Sequence, residues 1–346
     1  MSWTKQIIAA ALAVTAPATG AAAADQTIRV GMVRAVSSGA LLIAIERGYF
    51  KELGLNVVVE EADSSANVLA LLSQNRFQVV MGGLSAGYFN AVEKGLPIVI
   101  AMSRVSTPIR HGLLLRADLA DRVKEISDLK GRTIATNGPG SVSTYEIGKM
   151  LETAGLSLAD VDLRVIPFGQ YSVALANKAI DAALAIAPWS LQLVKQGLAV
   201  PFVNSDEVVR PSPVAISVAS INTDWAKATP SQPHDFFLAY QRGVRDYCQA
   251  YHGGSTRKTI VDLLIRSGAE TRPEILNEYI WPSSDPYGRI NVTSMLDMQS
   301  WFVRHKYAGA QVPAERLVDL SYAEHAAQKL GPFELENPTS PLAGCR

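Results

Sequence analysis

Residues 27–60 read TIRVGMVRAVSSGALLIAIERGYFKELGLNVVVE, and this stretch decides the fold. Residues 27–33 alternate in the manner of a strand, and Ser37-Ser38-Gly39-Ala40 follows as a short polar loop. Residues 41–53 carry apolar side chains at helical spacing and stop at Gly54, and residues 56–60 form a second β-branched run. Strand, helix and strand in immediate succession predict a βαβ unit with parallel strands.

Working outward, the alternation continues. A helix over 68–74, a strand over 77–81, the turn Gly82-Gly83, a helix through Glu93 and a strand over 97–102 complete one α/β unit. A second begins near His111, with strands expected over 112–115, 132–136, 163–166 and 182–186 and helices over 123–129, 142–153 and 172–177. A strand over 214–220 follows, and beyond Pro230 the chain is predominantly helical, over 236–251, 258–265, 273–279 and 292–306. A chain that builds one lobe, crosses to another and returns near residues 211–220 has two crossings, and two crossings make a hinge. The expected division is lobe I over 25–107 and 216–330, lobe II over 108–215, and a C-terminal tail over 331–346.

Ahead of this lies an export signal. Lys5 precedes the unbroken apolar run 7–14, and after Pro17 and Gly20 comes Ala21-Ala22-Ala23-Ala24-Asp25, the pattern of a secretory signal peptide cleaved after Ala24. The expected destination is a bacterial periplasm. No later apolar run is long enough to cross a bilayer.

With 48% apolar and 18% charged residues, the chain can bury a large core. Lys plus Arg and Asp plus Glu both total 32, without the basic excess of a phosphate-backbone binder, so no nucleic-acid partner is expected. The only cysteines are Cys248 and Cys345, and an oxidising compartment leaves two readings open, a disulfide closing the tail onto the body or two free thiols. Neither has a His in ligand spacing, so no metal site is expected.

Three runs carry a family resemblance: residues 44–55 (AIERGYFKELGL), 128–135 (DLKGRTIA) and 140–145 (GSVSTY). In these the chain resembles the periplasmic substrate-binding proteins of ABC importers, of the type II fold, in the nitrate, sulfonate and thiamine-precursor branch. The resemblance implies a two-lobed clamp, working as a monomer without a cofactor. It would close on a small solute and deliver it to a membrane permease driven by a separate ATPase. The absence of a Gly-x-x-x-x-Gly-Lys-[Ser/Thr] phosphate loop agrees with that division of labour. The chain departs from many sulfonate-binding relatives at Ala187, where they carry an acid, and it lacks the cysteine-rich segment of thiamine-precursor relatives. The expected ligand is therefore a small organic anion, a sulfonate or carboxylate.

Ligands of open α/β lobes sit beyond the carboxyl ends of the strands, which singles out three turns. Ser38 and Gly39 lie in the first and Ser85 in the second. Asn137, Gly140, Ser141 and Ser143 lie in the third, where glycines allow close approach and helix amides suit an anion. The alternative for Ser141 is that it only caps its helix. Trp189 is placed to stack on a flat ligand or else to pack between lobe helices. Arg34, Arg104, Arg110 and His111 are candidate counter-ions for an anion, or surface and hinge ion-pair residues.

Gly83-Leu84-Ser85-Ala86-Gly87 also matches the Gly-x-Ser-x-Gly elbow of α/β hydrolases, which keeps a serine hydrolase acting through Ser85 as the alternative function. A third reading, the sensing lobes of a transcription regulator, conflicts with the export signal and the lack of an N-terminal helix-turn-helix.

Overall fold

The computed structural model describes residues 27–32, 36–61, 65–109, 112–270, 272–279 and 281–346. The export signal, Arg34, Arg110 and His111 lie outside the described residues.

The first unit runs β1 (Ile28–Met32), α1 (Gly39–Glu46), α2 (Tyr49–Glu52), β2 (Val57–Glu61), α3 (Ser65–Ser73), β3 (Val79–Gly83), α4 (Ala86–Glu93) and β4 (Ile98–Ser106). The second runs β5 (Gly112–Arg116), β6 (Thr133–Thr136), α5 (Val142–Glu152), β7 (Asp162–Val165), α6 (Tyr171–Ala176), β8 (Ala182–Ala185), α7 (Trp189–Lys195), β9 (Ala199–Asn204) and α8 (Ser205–Val208). The chain then returns as β10 (Ala215–Asn222). It ends in α9 (Thr223–Ala228), α10 (Ser231–Tyr251), α11 (Arg257–Arg266), α12 (Pro273–Glu278), α13 (Val292–Arg304), α14 (Ala314–Leu317) and α15 (Ser321–Leu330).

Two five-stranded sheets result, ordered β2-β1-β3-β10-β4 and β7-β6-β8-β5-β9. Each is parallel except for one strand. In the first sheet β10, returning from the second unit, lies antiparallel between β3 and β4. In the second sheet β5, arriving from the first, lies antiparallel between β8 and β9. Each crossing strand thus takes the same slot in the sheet it enters, which is the two-lobed type II arrangement of an α/β clamp. The central strands of the second sheet, β5, β6 and β8, are buried on both faces, while its edge strands β7 and β9 are not. Leu113 and Leu115 pack on one side with Ile147 and Leu151, and Leu114 and Ala135 on the other with Tyr171 and Leu175.

Several expectations need correction. The helix expected over 41–53 is two pieces, because Gly48 takes φ +77° and ends α1 after one residue of C-cap. The helix expected over 123–129 is only a 3-10 turn at Ile126–Leu129, closed by reciprocal capping between Glu125 and Asp128. Strand β9 was not anticipated, since Pro201 interrupts its pattern; as an edge strand it tolerates the proline. Helix α15, which packs on α10 through Tyr322, Ala323 and Ala326, was also missed.

Of the two readings of the cysteines, the disulfide holds: Cys248 on α10 and Cys345 in the tail are bonded, with Cα atoms 5.2 Å apart. The Cys345 amide also donates to Ser283 Oγ at 3.0 Å, and the Ser106 amide donates to the Ser283 carbonyl at 3.2 Å. The tail therefore fastens the segment that covers the edge of β4. Among the described residues no helix is long and apolar enough to cross a membrane.

Candidate functional site

In the parallel part of each sheet the strands end on one edge, and the helices that follow begin there. The N-termini of α1, after β1, and α4, after β3, belong to one lobe, and that of α5, after β6, belongs to the other. The last two meet directly. The Ala86 amide, in the first turn of α4, donates to the Gly140 carbonyl at 2.9 Å. Gly140 is held at φ +62°, and a Cβ there would lie 2.8 Å from the Ala86 Cβ. Only glycine permits both the backbone conformation and the approach.

Beside this contact stand the serines. Ser85 is 9% exposed and sits in ordinary extended backbone (φ −151°, ψ 161°) as the residue before α4, without a capping bond of its own. Ser141 caps α5, accepting from the Thr144 amide at 3.3 Å, and its Oγ lies 3.4 Å from the hydroxyls of Thr136 and Thr144. Thr144 in turn donates to the Gly138 carbonyl at 2.8 Å, which fixes the turn. Asn137 is exposed at the tip of this turn and Ser143 is buried within the first turn of α5. Gly39 is buried as the first residue of α1, and its Cα faces Leu264 and Tyr247 in the core.

Ser38 leads to a residue whose burial the sequence did not disclose. Its Oγ accepts from Arg104 Nη2 at 2.7 Å, and Ser37 Oγ accepts from the same nitrogen at 3.1 Å. Arg104 Nη1 donates to Ser217 Oγ at 2.7 Å, and Ser217 donates to the Gly82 carbonyl at 2.6 Å. A continuous path of contacts thus runs from α1 through Arg104 and β10 to the turn holding Ser85, and across to Gly140. Burial lowers the affinity of the Arg104 guanidinium for its proton, an effect opposed in part by Tyr240 and Tyr247.

Trp189 opens α7 at the end of β8 and stacks on Phe168, with ring centroids 5.1 Å apart and planes 22° from parallel. Both rings are half-buried. Phe168 was not singled out from sequence; its place just after β7, on the same sheet edge as Trp189, is the signal that marks it. A hollow of about 500 Å³ lined by Lys124, Glu125, Thr153 and Phe202 lies at the other end of α5, away from these turns, and is not part of this site.

The hydrolase alternative finds no support at Ser85. A nucleophile elbow holds its serine in a strained turn, whereas Ser85 is relaxed. The described histidines are engaged elsewhere. His252 Nε2 lies 2.9 Å from the Gly344 carbonyl, His305 stacks on Trp301, and His234 packs against His325. Among the described residues no group of His, Cys, Asp and Glu side chains is arranged to hold a metal ion.

The sequence profile of the NMT1/THI5-like family matches residues 36–250, more than half of the chain. The chain belongs to the NMT1/THI5-like family. Solved structures agree with this NMT1/THI5-like protein in fold. The periplasmic aliphatic sulphonate-binding protein SsuA of Escherichia coli superposes with a TM-score of 0.67 at 14% identity, over 85% of this chain and 92% of its own. The periplasmic nitrate-binding protein NrtA of Synechocystis PCC 6803 does so with a TM-score of 0.70 at 15% identity, over 92% of each chain. The desulfurization enzyme DSZB shares the fold with a TM-score of 0.62 at 13% identity, over 88% of this chain and all of its own. A comparison with curated protein sequences finds no match.

Proposed function

We propose that this NMT1/THI5-like chain is the solute-binding component of an ABC importer. It captures a small organic anion of the sulfonate or carboxylate class in the periplasm and delivers it to a membrane permease with a separate ATPase. The observation that carries this reading is the meeting of α4 and α5 at Ala86 and Gly140. That contact brings the N-termini of two helices from different lobes together, and their positive ends suit a negatively charged solute held between closing lobes. SsuA and NrtA, which share the fold, are by name binding proteins for a sulphonate and for nitrate, both anions. The proposed lobes are 25–107 with 216–330, and 108–215; the two crossings between the sheets serve as the hinge. The proposed contacts are Ser38, Gly39, Ser85, Asn137, Gly140, Ser141, Ser143 and Trp189, and the protein acts as a monomer after loss of residues 1–24.

A thermal-shift screen of residues 25–346 against alkanesulfonates, arenesulfonates, carboxylates, taurine, nitrate and pyrimidines tests the reading. A ligand at a hundred times its Kd stabilises the native state by about 2.7 kcal/mol, enough to move Tm by several degrees. Stabilisation confined to anions supports the proposal; stabilisation by neutral pyrimidines alone refutes it.

A further inference from the structure

Arg104 is a buried cation with no carboxylate beside it among the described residues. It is 6% exposed, and its bonds go to three neutral hydroxyls, Ser37, Ser38 and Ser217. Its Nε is buried and donates to nothing. Elsewhere in the molecule the well-buried arginine, Arg116, has Asp118 at 2.6 Å and Asp181 at 2.9 Å, the ordinary way a folded chain tolerates such a charge. Arg104 also lies at the wrong end of a helix. Ser37 and Ser38 immediately precede α1, so the guanidinium faces that helix's positive terminus, where an anion is favoured and a cation is not. Tyr240 and Tyr247 of α10 offset the effect of burial only in part and supply no carboxylate. A guanidinium that is desolvated, short of one acceptor and set against a positive dipole is an arrangement completed by a negative charge from outside the chain.

The position agrees. Ser217, bonded to Arg104, is also bonded to Gly82, three residues before Ser85, while Ser37 on the other side is only half-buried. We infer that Arg104 is the counter-ion for the solute: its planar donor edge, with Ser37 alongside, takes the singly charged sulfonate or carboxylate head and makes the site select monoanions over uncharged isosteres. A guanidinium suits this role because it matches either oxyanion with paired donors and keeps its charge when desolvated. This inference rests on the solute-binding reading and specifies what that site recognises.

The test compares charged and neutral isosteres, butane-1-sulfonate with butane-1-sulfonamide and benzoate with benzamide, by calorimetric titration of residues 25–346. The expected result is that wild type prefers the anion of at least one pair by about 100-fold, and that Arg104→Gln reduces this preference to about threefold or less. Because the readout is a ratio on one protein, partial loss of folded material leaves it unchanged. If Arg104→Gln binds and keeps the wild-type preference, Arg104 is structural and the inference fails while the solute-binding reading stands. If wild type binds neither anion, the inference fails together with the sulfonate and carboxylate assignment. Should Arg104→Gln not fold, Arg104→Lys replaces it. About tenfold weaker anion binding with the neutral isostere unaffected supports the inference, and unchanged anion affinity overturns it.

Discussion

The Gly140 carbonyl accepts from the Ala86 amide at 2.9 Å, tying the turn before α5 in one lobe to the first turn of α4 in the other. No side chain intervenes at this point, so the separation of the lobes is set by backbone contact. A side chain at 140 would meet the Ala86 Cβ and the Tyr307 ring, and would hold φ +62° only with strain. Gly140→Val is therefore expected to prop the crevice open, weakening anion binding by tenfold or more. Small-angle scattering should show a radius of gyration that no longer shrinks when anion is added. Normal compaction in the variant would show that closure does not pass through this contact.

A second glycine fixes the core of lobe I. A Cβ on Gly243 of α10 would run into the Ala40 carbonyl and come within 2.9 Å of the Ala44 Cβ of α1. Gly243→Ala is expected to destabilise the fold by about 1–3 kcal/mol through overpacking, read from the urea midpoint at unchanged slope. A midpoint equal to wild type would mean that α1 and α10 separate without penalty.

The Cys248–Cys345 bond closes a long loop, its ends 97 positions apart in the sequence. Cys345→Ser should lower stability by about 2–4 kcal/mol, and a reductant should lower the Tm of wild type to that of the variant while leaving the variant unmoved. A reductant that changes neither protein would show that the bond does not form in solution.

The tail also carries a pH response. His252 is buried, and burial holds its pKa below the usual histidine value despite the bond to Gly344. The folded state thus takes up the ring's proton less readily than the unfolded chain, which protonates it near the ordinary value of about 6.5. The unfolded chain binds more protons as pH falls through that value, so stability is retained above about pH 6.5 and declines below it. The midpoint of denaturation should drop between pH 7 and 5 in wild type and drop less in His252→Gln; parallel curves would assign the pH response to other groups.

Trp189, one of the proposed contacts, stacks with Phe168 into a flat, half-buried aromatic surface. Trp189→Ala is expected to weaken binding of arenesulfonates by roughly tenfold, in line with about 0.5–1.5 kcal/mol for an aromatic contact, and to spare short alkanesulfonates. Equal losses for both would make the stack a packing feature.

The fold was legible because alternation of strands and helices survives in a single sequence, and because the return of the chain near residues 211–220 implied two lobes. What escaped was set by context. Gly48 ends α1 through a left-handed conformation that reads from sequence as one more helical residue, and β9 hides behind Pro201 because an edge position excuses it. Within the site, the turn 137–143 declared itself through its glycines and serines. Arg104 stands in the sequence only as one of four candidate counter-ions, because a surface arginine in an ion pair and a buried one without a carboxylate are the same letter. Only the placement of Ser37, Ser38 and Ser217 around it, from segments far apart in the chain, distinguishes them.

The most direct test of the account is an equilibrium titration of residues 25–346 with the anion that gives the largest thermal shift, followed by denaturation and chemical analysis of what is released. The account predicts one anion bound per chain and its recovery, unaltered and in full, after prolonged incubation. Consumption of the compound, with a product that disappears in Ser85→Ala, would contradict it, as would the failure of every small organic anion to bind.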